Sequence, residues 1–406
     1  MKVAIIGSLN IECMGGGEAN TIMFANIVSK MGYHVTYFGT GCPDVSDASP
    51  RNDVKILFNY RSSALRHDPM AHPKIIKLSR LLSMGLIGTF GFRKTRKILE
   101  GFDIYYFASP TVLSRRLIPK IVTGGKRVIM ANHGTFFEYL GNSNFRILRV
   151  AGKVADKILL EPLKRYERGI IVHTQNSFQT EYYREMGFDP GNIIEVPQHN
   201  IDFSKYSISP VKEGFSVAFL GRLTESKGID LLINVANMNP DILFHVIGKG
   251  HLMNEIISRS IYKNLKVHGF LNDKEKREIL SSCDAMIVPS LFESLSIASI
   301  EGLASGLPLV ASQTAQGLRY IISKDPKFGR LIPRNAESFS GELRRLMRKK
   351  MEMYDDYIHE RKNIRESAIK IFDEKLLLTN LIKIMKFNLD SEIFEDKEIP
   401  EITVYT

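Results

Sequence analysis

Two cations lie five residues apart in Gly221-Arg222-Leu223-Thr224-Glu225-Ser226-Lys227-Gly228. The segment follows a β-type run, Ser216–Leu220, and precedes a helical apolar pattern that opens at Ile229. On a loop at a strand end, Arg222 and Lys227 can converge on one diphosphate and offset the charge that builds on a phosphate leaving group. Taken alone, the pair reads equally well as two surface cations. A second segment, Glu293-Ser294-Leu295-Ser296 running on to Glu301-Gly302, follows the strand-like Ala285–Val288 and the turn residue Pro289. Its helix is expected to open near Ser294 or Leu295, where N-terminal amides favour an anion. Glu293, just before that helix, and Glu301, about two turns into it, can accept hydrogen bonds from separate hydroxyls of one ligand. Two glutamates at this spacing are common by chance.

Two further segments belong to the first half. Gly15-Gly16-Gly17-Glu18 follows the run Lys2–Gly7, and glycine lets backbone amides approach a phosphate closely. It is neither a Gly-x-Gly-x-x-Gly fingerprint nor a Walker loop, and alone it reads as a tight turn. Asn132-His133-Gly134-Thr135 follows Val128–Ala131. A histidine at a strand end can hydrogen-bond a sugar hydroxyl or shuttle a proton, although a lone histidine is more often structural.

These segments need strand ends to hold them. Short β-type runs recur at Val35–Phe38, Ile104–Phe107, Ile170–His173 and Ile193–Val196, with helical material between, as in Asn144 to Arg168. After polar Asp202–Gly214 the alternation restarts, with strands at Leu243–Ile247 and Leu309–Ala311 besides those named. Helices are expected at Ile229–Met238, Lys274–Cys283, Ser296–Ala304 and over much of Ser338–Leu389. The pattern predicts an α/β protein of two parallel-sheet, Rossmann-like domains with a substrate cleft between them. The expected boundaries are 1–201 for the first domain, 202–214 for a linker and 215–375 for the second. A C-terminal helix, 376–389, is expected to cross back to the first domain, and an acidic tail occupies 390–406.

Composition narrows the function classes. Of 406 residues 44% are hydrophobic and 24% charged, as in ordinary globular proteins. Met1 leads straight into Val3–Ile6 without a signal-like stretch, and Leu81–Phe92 is too short to span a bilayer. Cys13, Cys42 and Cys283 are odd in number and widely spaced, which excludes a disulfide framework and a Cys-x-x-Cys zinc site. A cytoplasmic protein is expected. The charge is lopsided: residues 1–200 hold 26 Lys+Arg against 16 Asp+Glu, while the remainder holds 29 against 28. Between Arg51 and Arg127 there are 16 basic and 4 acidic residues. Such a surface attracts anionic partners such as lipid or acidic glycan. Arg93-Lys94-Thr95-Arg96-Lys97 and Arg115-Arg116 are the densest clusters, and they suggest a peripheral seat on the inner face of a membrane. No nucleic-acid module is recognisable.

The four segments, in this order, resemble family-4 glycosyltransferases of the GT-B fold, over roughly Met1 to Phe387. The strongest part is Ser282-Cys283-Asp284-Ala285-Met286-Ile287-Val288-Pro289-Ser290, then Glu293 to Glu301, then Gly302-Leu303-Ala304-Ser305-Gly306-Leu307-Pro308-Leu309-Val310-Ala311-Ser312. The resemblance implies a retaining, hexosyltransferase-like enzyme that moves a sugar from a nucleotide-diphosphate sugar to a glycan or lipid-linked hydroxyl. It implies no tightly bound cofactor or metal, which agrees with the missing Asp-x-Asp pair. Arg222 and Lys227 would bind the donor diphosphate, Glu301 the ribose and Glu293 the donor sugar. His133 would lie by the transferred sugar. Gly16, Gly17, Ser294, Leu295 and Ser296 would touch phosphate or sugar through their backbone. Gly221 and Gly248, the latter in a Gly-x-Gly turn, and the loop Val267-His268-Gly269-Phe270 beside the base would complete the donor site. The chain departs from the family at Gln316-Gly317-Leu318-Arg319, which lacks a customary glutamate, at Pro197–Asp202, and at Lys249, where an acid is frequent. A sugar-nucleotide epimerase on the same fold and a catalytically silent binding subunit are the alternatives.

Overall fold

A computed structural model describes residues 1–6, most of 21–38, 55–57, 100–132 apart from 111, 146–197, 199, 201–210 and 213–373. The first sheet contains β1 (Lys2–Ile6), β2 (His34–Phe38), β3 (Lys55–Leu57), β4 (Ile104–Phe107), β5 (Arg127–Ala131), β6 (Ile170–Thr174) and β7 (Ile193–Glu195). The second contains β8 (Ser216–Leu220), β9 (Leu243–Ile247), β10 (Leu265–Gly269), β11 (Ala285–Val288), β12 (Leu309–Ser312) and β13 (Gly329–Ile332). Among the described residues the strand orders are β3-β2-β1-β4-β5-β6-β7 and β10-β9-β8-β11-β12-β13. Neighbouring strands run parallel throughout, for example Ile5 beside Tyr37 and Tyr106.

Parallel strands are covered on both faces, so they read as continuous apolar runs. Val3 and Ile5 enter one core of the first sheet and Ala4 and Ile6 the other. In the second sheet Ala218 joins one core while Val217 and Phe219 join the opposite one. The helices are α1 (Val112–Thr123), α2 (Arg146–Leu160), α3 (Ser177–Glu185), α4 (Ile229–Asn237) and α5 (Met253–Arg259). They continue with α6 (Asp273–Ser282), α7 (Ile297–Ala304), α8 (Gln316–Lys324), α9 (Ala336–Glu352) and α10 (Tyr354–Phe372). None of the described helices is long and apolar enough to cross a membrane.

Several expectations need correction. Strands β3, β10 and β13 did not stand out in the sequence. Each lies at a sheet edge, where flanking by one strand only permits polar residues such as Lys266 and Arg330. The helix expected over 144–168 stops at Leu160, and a 3-10 segment, Glu161–Gly169, follows around Pro162. Helix α7 opens at Ile297 rather than at Ser294 or Leu295, because Ser296 accepts from the Ser299 amide and acts as the N-cap. The polar stretch after residue 201 is anchored: Ile201, Phe203 and Tyr206 are buried in a core of the second sheet. Arg365 donates to the Phe203 carbonyl at 2.8 Å.

A charged network closes the end of the second sheet opposite its loops. Lys350 Nζ lies 2.8 Å from Asp284 Oδ1, and Tyr357 donates its hydroxyl to the same oxygen at 2.7 Å. The Ser216 amide donates to Asp284 Oδ2 at 2.7 Å, and buried Arg361 donates to the Gly306 and Ser305 carbonyls.

Buried histidines tie stability to pH. His173 on β6 lies 2.9 Å from the Val196 carbonyl through Nε2, and burial holds its pKa down at about 4. Burial lowers His199 likewise to about 4. The unfolded chain titrates near 6.5, so between about 6.5 and 4 only the unfolded state takes up these protons. Stability is therefore fully present above about pH 6.5 and falls as the solution is acidified. A His173→Gln variant, which retains a donor for Val196, should show a shallower decline of Tm between about pH 7 and pH 5 than the wild type. Identical slopes would contradict this.

Candidate active site at the mouth of the second sheet

Strand order reverses between β8 and β11, and the loops after these two strands carry the candidate residues. The β8 loop leaves Leu220 through Gly221, forms a 3-10 turn, Glu225–Lys227, and enters α4 through Gly228. Gly228 has φ 76° and a side chain there would meet the Pro289 carbonyl at 2.2 Å, so the β8 and β11 loops touch through bare backbone. The Leu291 amide donates to the Ser226 carbonyl at 2.9 Å and locks the same contact. Gly248, after β9, has φ 142°, and a Cβ would lie 1.9 Å from the Gly221 carbonyl. The Gly248-Lys249-Gly250 turn is thereby laid against the Arg222 loop, with the Leu223 amide donating to the Lys249 carbonyl at 2.9 Å.

Lys227 and Glu293 come together. Lys227 Nζ lies 2.7 Å from Glu293 Oε1, and Ser290 donates to that oxygen at 2.8 Å. Glu301 repeats the arrangement: Tyr206 donates to its Oε1 at 2.8 Å and Lys276 Nζ lies 2.5 Å away. Both carboxylates are nearly buried, and among the described residues no donor reaches either Oε2. Each is anchored through one oxygen and presents the other. Lys276 also pairs with Asp273 at 2.9 Å. Although burial works against its charge, Glu301 and Asp273 together raise the Lys276 pKa. Burial, with Glu301 adding, raises the Tyr206 pKa, so its hydroxyl stays a donor.

Arg222 is half-buried on the β8 loop, and its guanidinium makes no hydrogen bond or ion pair among the described residues. A partly desolvated cation without a protein anion is poised for an external one. Ser296 caps α7 by accepting from the Ser299 amide, and the first amides of a helix have no intrahelical partner.

The first domain reaches this site. Asn176 caps α3 through its Oδ1 and donates from Nδ2 to the Ser294 carbonyl. Gln179 donates from Nε2 to Ser294 Oγ at 3.0 Å. The Gly317 amide, at the start of α8, donates to the Glu293 carbonyl at 2.8 Å, so the loop is held from both sides. At the other flank, His268 belongs to β10 rather than to a loop and shares a 2.9 Å hydrogen bond with His245 on β9. Burial lowers both pKa values, His245 to about 4. Gly269 accepts from the Gly248 amide at 2.8 Å, and Phe270 is exposed with Lys249 Nζ 5.6 Å from its ring centroid.

Gly221, Arg222, Lys227, Gly248, Glu293, Ser294, Leu295, Ser296 and Glu301 thus share the mouth of one sheet, with His268, Gly269 and Phe270 at its edge. Gly16, Gly17 and His133 lie outside the described residues. Sequence reasoning missed Asn176, Gln179, Tyr206, Lys276 and Ser290. Only the nearness of Ser290 to Glu293 gave a local signal.

This site falls within a recognisable region. Residues 201–370 match the family model for glycosyl transferases group 1. The matched region takes in β8 to α9, the linker segment and nearly all of α10. An uncharacterised glycosyltransferase of Methanocaldococcus jannaschii, MJ1607, is 28% identical over 161 residues, 37% of this chain and 40% of that protein. The UDP-Gal:alpha-D-GlcNAc-diphosphoundecaprenol alpha-1,3-galactosyltransferase of Escherichia coli is 26% identical over 237 residues, 52% of this chain and 58% of that protein. The chain therefore spans less than two thirds of the length of either relative. Among solved structures, sucrose-phosphate synthase from Thermosynechococcus elongatus superposes with a TM-score of 0.74 at 15% identity, over 95% of this chain and 98% of that one. The architecture is the GT-B fold, two Rossmann-like domains with a cleft between them.

Proposed function

We propose that the chain is a retaining, family-4 glycosyltransferase that moves a sugar from a nucleotide-diphosphate sugar to a hydroxyl of a glycan or lipid-linked acceptor. The observation that carries this reading is half-buried Arg222, without a side-chain partner among the described residues, on the same loop as the Lys227 that pairs with Glu293 at the strand-order reversal. The group 1 match over the same residues and the UDP-galactose donor in the name of the Escherichia coli relative support it.

In this mechanism the diphosphate lies between Arg222, Lys227 and the first amides of α7. Glu293 Oε2 receives a hydroxyl of the donor sugar, and Glu301 Oε2 receives the ribose hydroxyls. As the bond to the anomeric carbon breaks, Arg222 and Lys227 stabilise the charge gathering on the leaving phosphate. The acceptor hydroxyl attacks from the face the phosphate leaves, and a phosphate oxygen takes its proton. Phe270 and the His268 edge flank the nucleotide base. Gly16, Gly17 and His133 are the first-domain residues that the family resemblance assigns to the donor, and the Asn176 and Gln179 contacts to Ser294 set where that domain meets the donor loop.

The test is incubation with UDP-, GDP-, ADP- and dTDP-sugars together with cell lipids and oligosaccharides. One donor should release its nucleoside diphosphate and yield a glycosylated product of unchanged anomeric configuration. EDTA should leave the rate within about twofold, because Arg222 and Lys227 carry the charge-neutralising role. Interconversion of a nucleotide sugar without any acceptor, inversion at the anomeric carbon, or loss of turnover in EDTA would contradict the corresponding part of this reading.

A further inference from the structure

Helix α2 has a conventional inner face. Gly152, Asp156, Leu159 and Leu160 are buried, and Tyr182 donates to Asp156 Oδ2 at 2.9 Å. Its outer face is unusual. Val150, Val154 and Ile158 are 54%, 50% and 53% exposed. At a spacing of four residues they form one ridge, about 12 Å long. Single exposed aliphatics need no explanation, but an aligned ridge of three on a helix with a sound inner face does.

Cations flank the ridge. Lys153 and Lys157 are exposed on the same helix. Helix α1 and the 3-10 segment Glu161–Gly169 pack beside α2, and they present exposed Arg116, Lys120, Arg165 and Arg168. Segments 112–123 and 146–169 together hold ten Lys+Arg and three Asp+Glu. Of those three acids Asp156 is buried and Glu161 is paired with Lys164 at 2.7 Å. An apolar stripe beside basic side chains is the pattern of a helix lying in a lipid interface. The acidic stretch 390–406 could answer the same charge, but it holds six carboxylates and one lysine against a net +10 in residues 1–200. It would leave half of that charge unanswered.

We propose that α2 seats the protein on an anionic lipid surface, with Val150, Val154 and Ile158 entering the boundary between headgroups and acyl chains and the surrounding lysines and arginines meeting lipid phosphates. The clusters at 93–97 expected from the sequence lie outside the described residues; the described part of the surface is centred on α2 instead. This seat is separate from the donor site, so its failure would leave the sugar-transfer reading standing.

Flotation of the full chain with phosphatidylglycerol–phosphatidylcholine vesicles tests it. The wild type should float at low salt, stay down with phosphatidylcholine alone, and be released by high salt. Val154→Glu with Ile158→Glu should weaken partitioning at least about tenfold. Lys157→Gln with Arg168→Gln should weaken it by about thirtyfold, at roughly fivefold per cation. Both double variants should keep the wild-type Tm, and the glutamine pair provides the readout if the glutamate pair fails to fold. Three results would overturn the proposal. The wild type could fail to float, or float equally after both pairs of substitutions. Alternatively, sedimentation could show a dimer that the glutamates dissolve, which would assign the ridge to a second copy.

Discussion

Arg222→Ala is expected to lower kcat by about 30- to 1000-fold, corresponding to about 2–4 kcal/mol of lost transition-state stabilisation, while leaving Tm unchanged. The separation follows from the structure, because among the described residues the Arg222 side chain has no partner and its loss strands no group. Lys227→Ala should differ. It removes the cation 2.7 Å from Glu293 and leaves a nearly buried carboxylate with Ser290 as its remaining donor. That variant should lose turnover and also about 1–3 kcal/mol of stability. Near-normal kcat in Arg222→Ala would remove the leaving-group role. A fall in its Tm as large as that of Lys227→Ala would mean that Arg222 is structural.

The second large effect is on stability alone. Asp284→Ala should cost about 3–5 kcal/mol, the usual penalty for leaving a buried ion without its partner. Asp284 receives Lys350, the Tyr357 hydroxyl and the Ser216 amide, and Lys350 and Asp284 side chains are each only 2% exposed. For a domain of this size the loss corresponds to a Tm decrease of roughly 10 °C. The network closes the end of the sheet away from Arg222, so kcat per folded molecule should be preserved. A Tm within about 2 °C of wild type would show that the pair contributes little.

These two sites also mark what the sequence could and could not reveal. Ser216–Leu220 and Ala285–Val288 were legible because central parallel strands are covered on both faces and admit little but apolar residues. Once those strands stood, Arg222, Lys227 and Glu293 followed as loop residues at their ends. Edge strands β10 and β13 were not legible, since an edge tolerates the Lys266, His268 and Arg330 that break an apolar run. The start of α7 was misjudged by two or three residues because any of several serines could have capped it, and only the fold selects Ser296.

Partners distant in the chain were invisible. Tyr206 meets Glu301 across 95 positions and Asn176 meets Ser294 across 118, and no local pattern encodes either. The charge asymmetry was plain in composition, but composition could not say that Val150, Val154 and Ile158 lie in a row on the outer face of α2. That depended on which face the first sheet buries.

A diphosphate site built around Arg222 is tested by calorimetric titration of UDP, GDP, ADP and dTDP, with the matching monophosphates. One of the four diphosphates should bind at one site per chain, its monophosphate more weakly, and Arg222→Ala should bind it at least about tenfold more weakly. Failure of all four diphosphates to bind, or equal affinity in wild type and Arg222→Ala, would contradict it.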